Sequence, residues 1–209
     1  MPSVTPRVST LLLPVLLLFA ACGGPDVPHL DSPGTTIVCL GDSITYGVGA
    51  GGEPGYPERL AERLGVPVVN AGVPGDTTED ALARLDDALA HDPWLVIVEL
   101  GGNDLLRRLP TERTEAALTA IVERILAARA VPMLVELDGS LVGDLEPVFE
   151  RLADRYRLPL VEEVLDDVLS DRALKSDQIH PNAAGYERLA EAVAREVEPL
   201  VEARREMGR

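Results

Sequence analysis

The strongest constraint on the fold is an alternation of short apolar runs with longer amphipathic stretches. The runs fall at 36–40, 66–70, 94–100, 131–137 and 158–161. Short, continuous and rich in Val, Ile and Leu, they suit strands buried on both faces. Pro67, Pro132 and Pro159 stand near run starts, where a missing backbone donor costs least. Between the runs, apolar residues repeat at three- and four-residue spacing: Leu118, Ile121, Val122, Ile125 and Leu126; Leu145, Val148, Phe149, Leu152, Ala153 and Tyr156; Tyr186, Leu189, Ala190, Val193 and Val197. Such stripes predict helices. Asp76 followed by Glu79 predicts the start of another, carrying Ala81, Leu82, Leu85, Ala88 and Leu89. Pro57 and Gly65 bracket one more. Strands alternating with helices imply an α/β fold: a single three-layer α/β/α domain with a flavodoxin-like, five-stranded parallel sheet. No internal repeat or second domain is evident.

The first 22 residues read differently. Arg7 supplies a positive start, an apolar stretch from Leu11 to Phe19 follows, and Ala20-Ala21-Cys22 closes it with small residues and a cysteine. The stretch is too short to span a bilayer as a stable helix and has the layout of a secretory signal. Its end resembles the lipobox of bacterial lipoproteins, in which the cysteine becomes the lipid-carrying first residue. That resemblance implies an exported, membrane-anchored protein of the cell envelope, lipidated at Cys22. A soluble periplasmic or secreted form is the alternative. Residues 23–35, with Gly23, Gly24, Pro25 and Gly34, are expected as a flexible tether. Residues 36–199 make the domain, and 200–209 are expected as a frayed polar tail.

Composition narrows the partners. Hydrophobic residues make up 46% of the chain, which excludes a disordered reading. A formal net charge of −16 argues against nucleic acid and against binding anionic lipid through the body of the protein. With Cys22 lipidated, Cys39 has no disulfide partner; inside the run 36–40 it reads as a buried, inert thiol.

In an open α/β sheet the ligand site lies beyond the carboxyl ends of the strands. Four loops at or near that edge carry chemistry. Gly41-Asp42-Ser43-Ile44-Thr45 follows the first run and places Ser43 at a helix start, where amides and dipole favour developing negative charge. Ser43 alone reads equally as a helix cap. In the segment 70–77, Gly75 has no side chain to keep its amide from a ligand, though a turn alone would also explain it. In Gly101-Gly102-Asn103-Asp104, Asn103 offers a neutral amide donor suited to an oxyanion, or else a cap. In Asp177-Gln178-Ile179-His180-Pro181, the spacing lets Asp177 accept from one ring nitrogen of His180 and leaves the other to take a serine proton. His29 lies in the expected tether and His91 at a helix end, so His180 alone stands at the active edge.

Taken in order, GDSIT, PGDTT, GGND and DQIHP resemble the sequence blocks of the SGNH, or GDSL-type, hydrolases. The likeness runs from about Thr36 to the last helix. NAGVPGDTT and VELGGND look most like the bacterial thioesterase I/lysophospholipase/arylesterase branch. The loop 105–110 departs from it, so acyl-chain preference is not carried over. The resemblance implies a serine hydrolase of carboxylic esters or thioesters, with Ser43, Asp177 and His180 catalytic and an oxyanion hole of the Ser43 and Gly75 amides and the Asn103 side chain. It implies small-molecule acyl ester or thioester substrates, no cofactor and no metal, and a monomer is the expected form. Two rivals share these residues: a carbohydrate O-acetylesterase, and an acyl-ligand binding module without turnover. Gly47 to Gly52 also fits G-x-G-x-x-G, but it begins well after the strand, behind the serine, and reads as a loop beside the nucleophile and not as a dinucleotide site.

Overall fold

The computed structural model describes residues 25–137 and 145–208. The signal-like segment, Cys22 and the loop that follows Leu137 lie outside them. Five parallel strands make one sheet in the order β2-β1-β3-β4-β5. They are β1 (Thr36–Gly41), β2 (Val68–Gly72), β3 (Pro93–Glu99), β4 (Val131–Val135) and β5 (Leu160–Val161). This is the flavodoxin-like order expected from the alternation. Gly41 pairs in register with Gly72 on one side and Glu99 on the other. The chain therefore leaves β1, β2 and β3 at one level, and three of the four chemistry-bearing loops emerge together.

Helices cover both faces: α1 (Ser43–Tyr46), α2 (Tyr56–Leu64), α3 (Thr78–Ala83), α4 (Leu85–Leu89), α5 (Gly102–Leu106), α6 (Thr111–Ala127), α7 (Glu146–Tyr156), α8 (Val164–Ser170) and α9 (Ala183–Met207). The predicted stripes face inward: Leu118, Ile121, Val122 and Ile125 of α6 are fully buried, as are Tyr186, Leu189, Ala190, Val193 and Val197 of α9. Each such Leu, Ile or Val contributes about 1.5–3 kcal/mol by leaving water. Pro57 sits in the first turn of α2, and Gly65 closes it in the left-handed conformation. The helix expected from Asp76 starts one residue later, on a Thr77 cap whose reciprocal partner is Asp80. Cys39 is fully buried and its thiol is pushed up by burial.

Two expectations are corrected. Residues 25–35 are docked against the domain. Leu30 and Ser32 are buried, and Thr35 donates to the Asp92 carbonyl at 2.9 Å. The Arg204 guanidinium donates to the carbonyls of Leu30 (2.7 Å), Ser32 (2.9 Å) and Gly34 (3.0 Å). Its other face stacks on Trp94, 4.6 Å from the ring centre. Proline and glycine foretold irregular backbone there, but a partner 170 residues away in sequence satisfies that backbone. The expected frayed tail is helical to Met207, because α9 runs through Pro199 and buries Leu200 and Val201. Packing of those two residues offsets the backbone bond that proline removes.

Candidate active site

Ser43 is the first residue of α1, separated from the end of β1 only by Asp42. Asp42 caps that helix: its Oδ1 accepts from the Ile44 amide at 3.0 Å. Glu99, at the end of β3, takes the next amide, since its Oε2 accepts from Thr45 N–H (3.2 Å) and from the Thr45 hydroxyl (2.8 Å). Two buried acids thus occupy the amides that follow Ser43, and neither accepts from its own N–H. Burial and the neighbouring Asp42 carboxylate push Glu99 well above the usual carboxylate range. Its Oε1 is buried and, among the described residues, has no hydrogen-bond partner. Asp42 is itself pushed up to about 6 by burial, against the opposing pull of the Ile44 amide, His180 and Asn103.

The histidine comes from the loop before α9. Lys175 and Pro181 form an antiparallel bridge, Ser176 N–H donates to the His180 carbonyl, and Asn182 caps α9 through the amides of Ala184 and Gly185. Inside this braced turn the Asp177 carboxylate works with both oxygens. Oδ1 accepts from the amides of Ile179 and His180, each at 2.9 Å, and Oδ2 meets His180 Nδ1 at 2.8 Å. That is the physical content of the three-residue spacing: one oxygen closes the turn and the other holds the ring. The His180 contact, followed by the Ile179 amide, holds Asp177 below its usual range. His180 Nε2 lies 3.0 Å from Ser43 Oγ. Ser43 and His180 are partly shielded, whereas the Asp177 side chain is 54% exposed.

The other two expected residues close around the same point. Gly75 has φ of +89°, a conformation that disfavours a side chain, and its carbonyl accepts from Arg107 at 2.6 Å. Asn103 stands in the first turn of α5, but its side-chain nitrogen is already committed. It donates to Asp42 Oδ2 at 2.8 Å and to the Asp76 carbonyl at 2.9 Å. Both of its hydrogens tie loops together as the structure stands.

Sequence reasoning passed over Asp42, Glu99, Arg84 and Asp104. Asp104 is buried and accepts from the Thr78 amide (2.9 Å), the Thr78 hydroxyl (2.6 Å) and the Thr114 hydroxyl (3.1 Å), fastening α3 and α6 to α5. Arg84 joins the Asp76 carboxylate (2.6 Å) to the Gly41 carbonyl (3.0 Å). An acid inside the otherwise apolar run 94–100 was the signal available for Glu99. Within the glycine-rich stretch, Gly49 is required by packing. A Cβ on Gly49 would come within 2.2 Å of Ser176 Oγ and 2.5 Å of the Pro181 carbonyl, so glycine lets this loop lie against the histidine turn. Among the described residues, no group of three or more His, Cys, Asp or Glu side chains is arranged to hold a metal ion.

A Ser–His–Asp chain at the carboxyl edge of a doubly wound parallel sheet is the arrangement of a serine hydrolase. Residues 39–188 match the GDSL-like Lipase/Acylhydrolase family, and this chain belongs to it and is an ester hydrolase. It is 33% identical over 176 residues to thioesterase 1/protease 1/lysophospholipase L1 of Escherichia coli strain K12, a match covering 79% of this chain and 85% of that protein. A crystal structure of TesA superposes with a TM-score of 0.73 at 31% identity, covering 79% of this chain and 99% of that one. Psychrotrophic esterase EstA from Pseudoalteromonas sp., in a structure inhibited by monoethylphosphonate, superposes with a TM-score of 0.72 at 25% identity, covering 80% and 99%.

Proposed function

We propose that the protein cleaves carboxylic esters or thioesters through an acyl-enzyme on Ser43. The observation that carries this reading is the hydrogen-bonded chain from Ser43 Oγ through His180 to Asp177, with contacts of 3.0 and 2.8 Å. Ser43 Oγ attacks the acyl carbonyl while His180 Nε2 takes its proton, and Asp177 holds the ring and stabilises the imidazolium. The tetrahedral oxyanion is met by the amides of Ser43 and Gly75. Asn103 becomes the third donor by exchanging one of its two present bonds for the oxyanion. His180 returns the proton to the departing alkoxide or thiolate. Water then attacks the acyl-enzyme by the same route in reverse, and the carboxylate leaves.

Exported, lipid-anchored attachment through Cys22 completes the proposal, supported by the apolar segment and the Ala20-Ala21-Cys22 end. No described helix is long and apolar enough to cross a membrane. A fluorophosphonate probe tests the chemistry: it should label the wild type and leave Ser43→Ala unlabelled and inactive but folded. Labelled, active Ser43→Ala would remove the nucleophile assignment. A chain-length series of nitrophenyl esters, with an acyl-CoA and a lysophospholipid, then ranks substrates, and exclusive removal of acetyl groups from carbohydrate would favour the O-acetylesterase reading. For the anchor, Cys22→Ser should pass to the soluble fraction with unchanged specific activity.

A further inference from the structure

The segment between Cys22 and the domain is short, and the fold pins it at one end of the molecule. Asp26 pairs with Arg157 at 3.3 Å, at the close of α7 and just before β5. Pro25, Asp26 and Val27 line, with Arg157, Pro159 and Leu160, a surface groove of about 760 Å³. Residues 30–34 are held by Arg204 beside Trp94, near the start of β3. Because the sheet is parallel, these strand starts share one edge, and Ser43, Asn103 and His180 occupy the other.

Helix α9 measures the separation. Its cap, Asn182, is two residues past His180, and Arg204 lies near its far end. At 1.5 Å per residue the interval from Asn182 to Arg204 is about 33 Å. From Asp26 back to Cys22 the chain can reach at most about 14 Å. Turning the catalytic edge onto the bilayer would need a tether running the length of the body. Undocking residues 25–35 would supply one, but at the loss of the three carbonyl bonds to Arg204, the Thr35–Asp92 backbone bond and the burial of Leu30. The net charge of −16 also opposes approach of the body to an anionic leaflet.

From this geometry we infer that the protein stands on its membrane by the amino-terminal edge of the sheet, with Ser43 facing outward. Its substrates are water-dispersed esters or thioesters, not lipids of the leaflet that anchors it. The inference rests on the acylation at Cys22 proposed above.

The test uses the full-length acylated protein in phosphatidylcholine vesicles. Flotation with the vesicles reports the anchor, and its failure condemns the acylation reading alone. For orientation, a fluorophosphonate dye is placed on Ser43 and, separately, a maleimide dye on Arg129→Cys, whose native arginine pairs with Asp31 at the amino-terminal edge. Energy transfer to an acceptor lipid should be weaker from Ser43 than from position 129. Equal or reversed transfer in floating protein overturns the inference. A second arm inserts about thirty Gly/Ser residues between Gly24 and Pro25, adding about 30 Å of root-mean-square reach. Turnover of a soluble nitrophenyl ester should not change. Turnover of a bilayer-held fluorogenic ester, chosen because Cys22→Ser cleaves it in detergent micelles, should rise about tenfold as the site comes within reach. Native protein that cleaves the bilayer-held ester as fast as the insertion variant also overturns the inference.

Discussion

Asn103 and Asp42 are joined by a 2.8 Å hydrogen bond that fastens the loop after β3 to the residue preceding Ser43. The second hydrogen of the same nitrogen goes to the Asp76 carbonyl, in the turn that carries Gly75. One side-chain amide therefore ties three loops together, next to Ser43 and Gly75, whose amides are proposed to receive the oxyanion.

Replacing Asn103 by Ala should lower kcat about 10²- to 10³-fold, the usual cost of one oxyanion donor, with KM little changed. Loss of both loop bonds, one to a carboxylate, should also cost about 2 kcal/mol of stability. Kinetics and thermal melts on one sample separate the two effects. A lowered melting temperature with near-normal kcat would leave Asn103 a purely structural tie.

Asp42 gives a pH prediction. Its folded-state value of about 6 lies above the 3.8 expected of an unperturbed aspartate. The native state therefore binds the proton more tightly than the unfolded state does. The carboxylate destabilises the fold fully above about pH 6, and that cost disappears as pH falls toward 4. Asp42→Asn should thus gain about 3 kcal/mol relative to wild type between pH 4 and pH 8 in denaturant titrations. A difference that stays flat across this range would contradict the assignment. Its kcat should fall, because an amide at position 42 presents donors to the Asn103 donor.

Asp104→Ala removes the acceptor of three donors, from Thr78 and Thr114, in a buried setting. A loss of about 3–5 kcal/mol is expected, from the cost of leaving such groups unpaired. Because α3 follows the Gly75 turn, kcat should also drop while fluorophosphonate labelling of Ser43 persists. Loss below about 1 kcal/mol in chemical denaturation would show that the threonines find other partners or water.

Arg204→Met keeps an apolar body over Trp94 and removes the three bonds to residues 30–34. Stability should fall by about 2–3 kcal/mol, read as a melting temperature lower by roughly 5–10 °C. Turnover of soluble esters at 25 °C should be unchanged, since the clamp lies at the edge opposite Ser43. Limited proteolysis should newly cut residues 25–35. Protection equal to wild type would mean that Leu30 and Thr35 suffice to dock the segment.

Much of this protein is determined by local sequence. The five apolar runs and the stripes between them dictate strands and helices, because periodicity records which faces leave water. The strands at 66–70 and 158–161 begin two residues later than the runs, a boundary set by pairing and not by hydropathy. The Asp177–His180 spacing encodes its own contact, since both residues lie in one turn. Tertiary structure alone decided the rest. Ser43 and His180 are 137 residues apart, and only sheet order and the braced turn before α9 bring them to 3.0 Å. No periodicity could show that Asp42 and Glu99 would occupy the amides beside Ser43. Nor could it show that Asn103 would be held by two loops, or that Arg204 would bind the segment expected to be loose. Those contacts satisfy polar groups across long stretches of chain, and a buried polar group is stabilised by whichever partner the fold delivers to it, not by its neighbours in sequence.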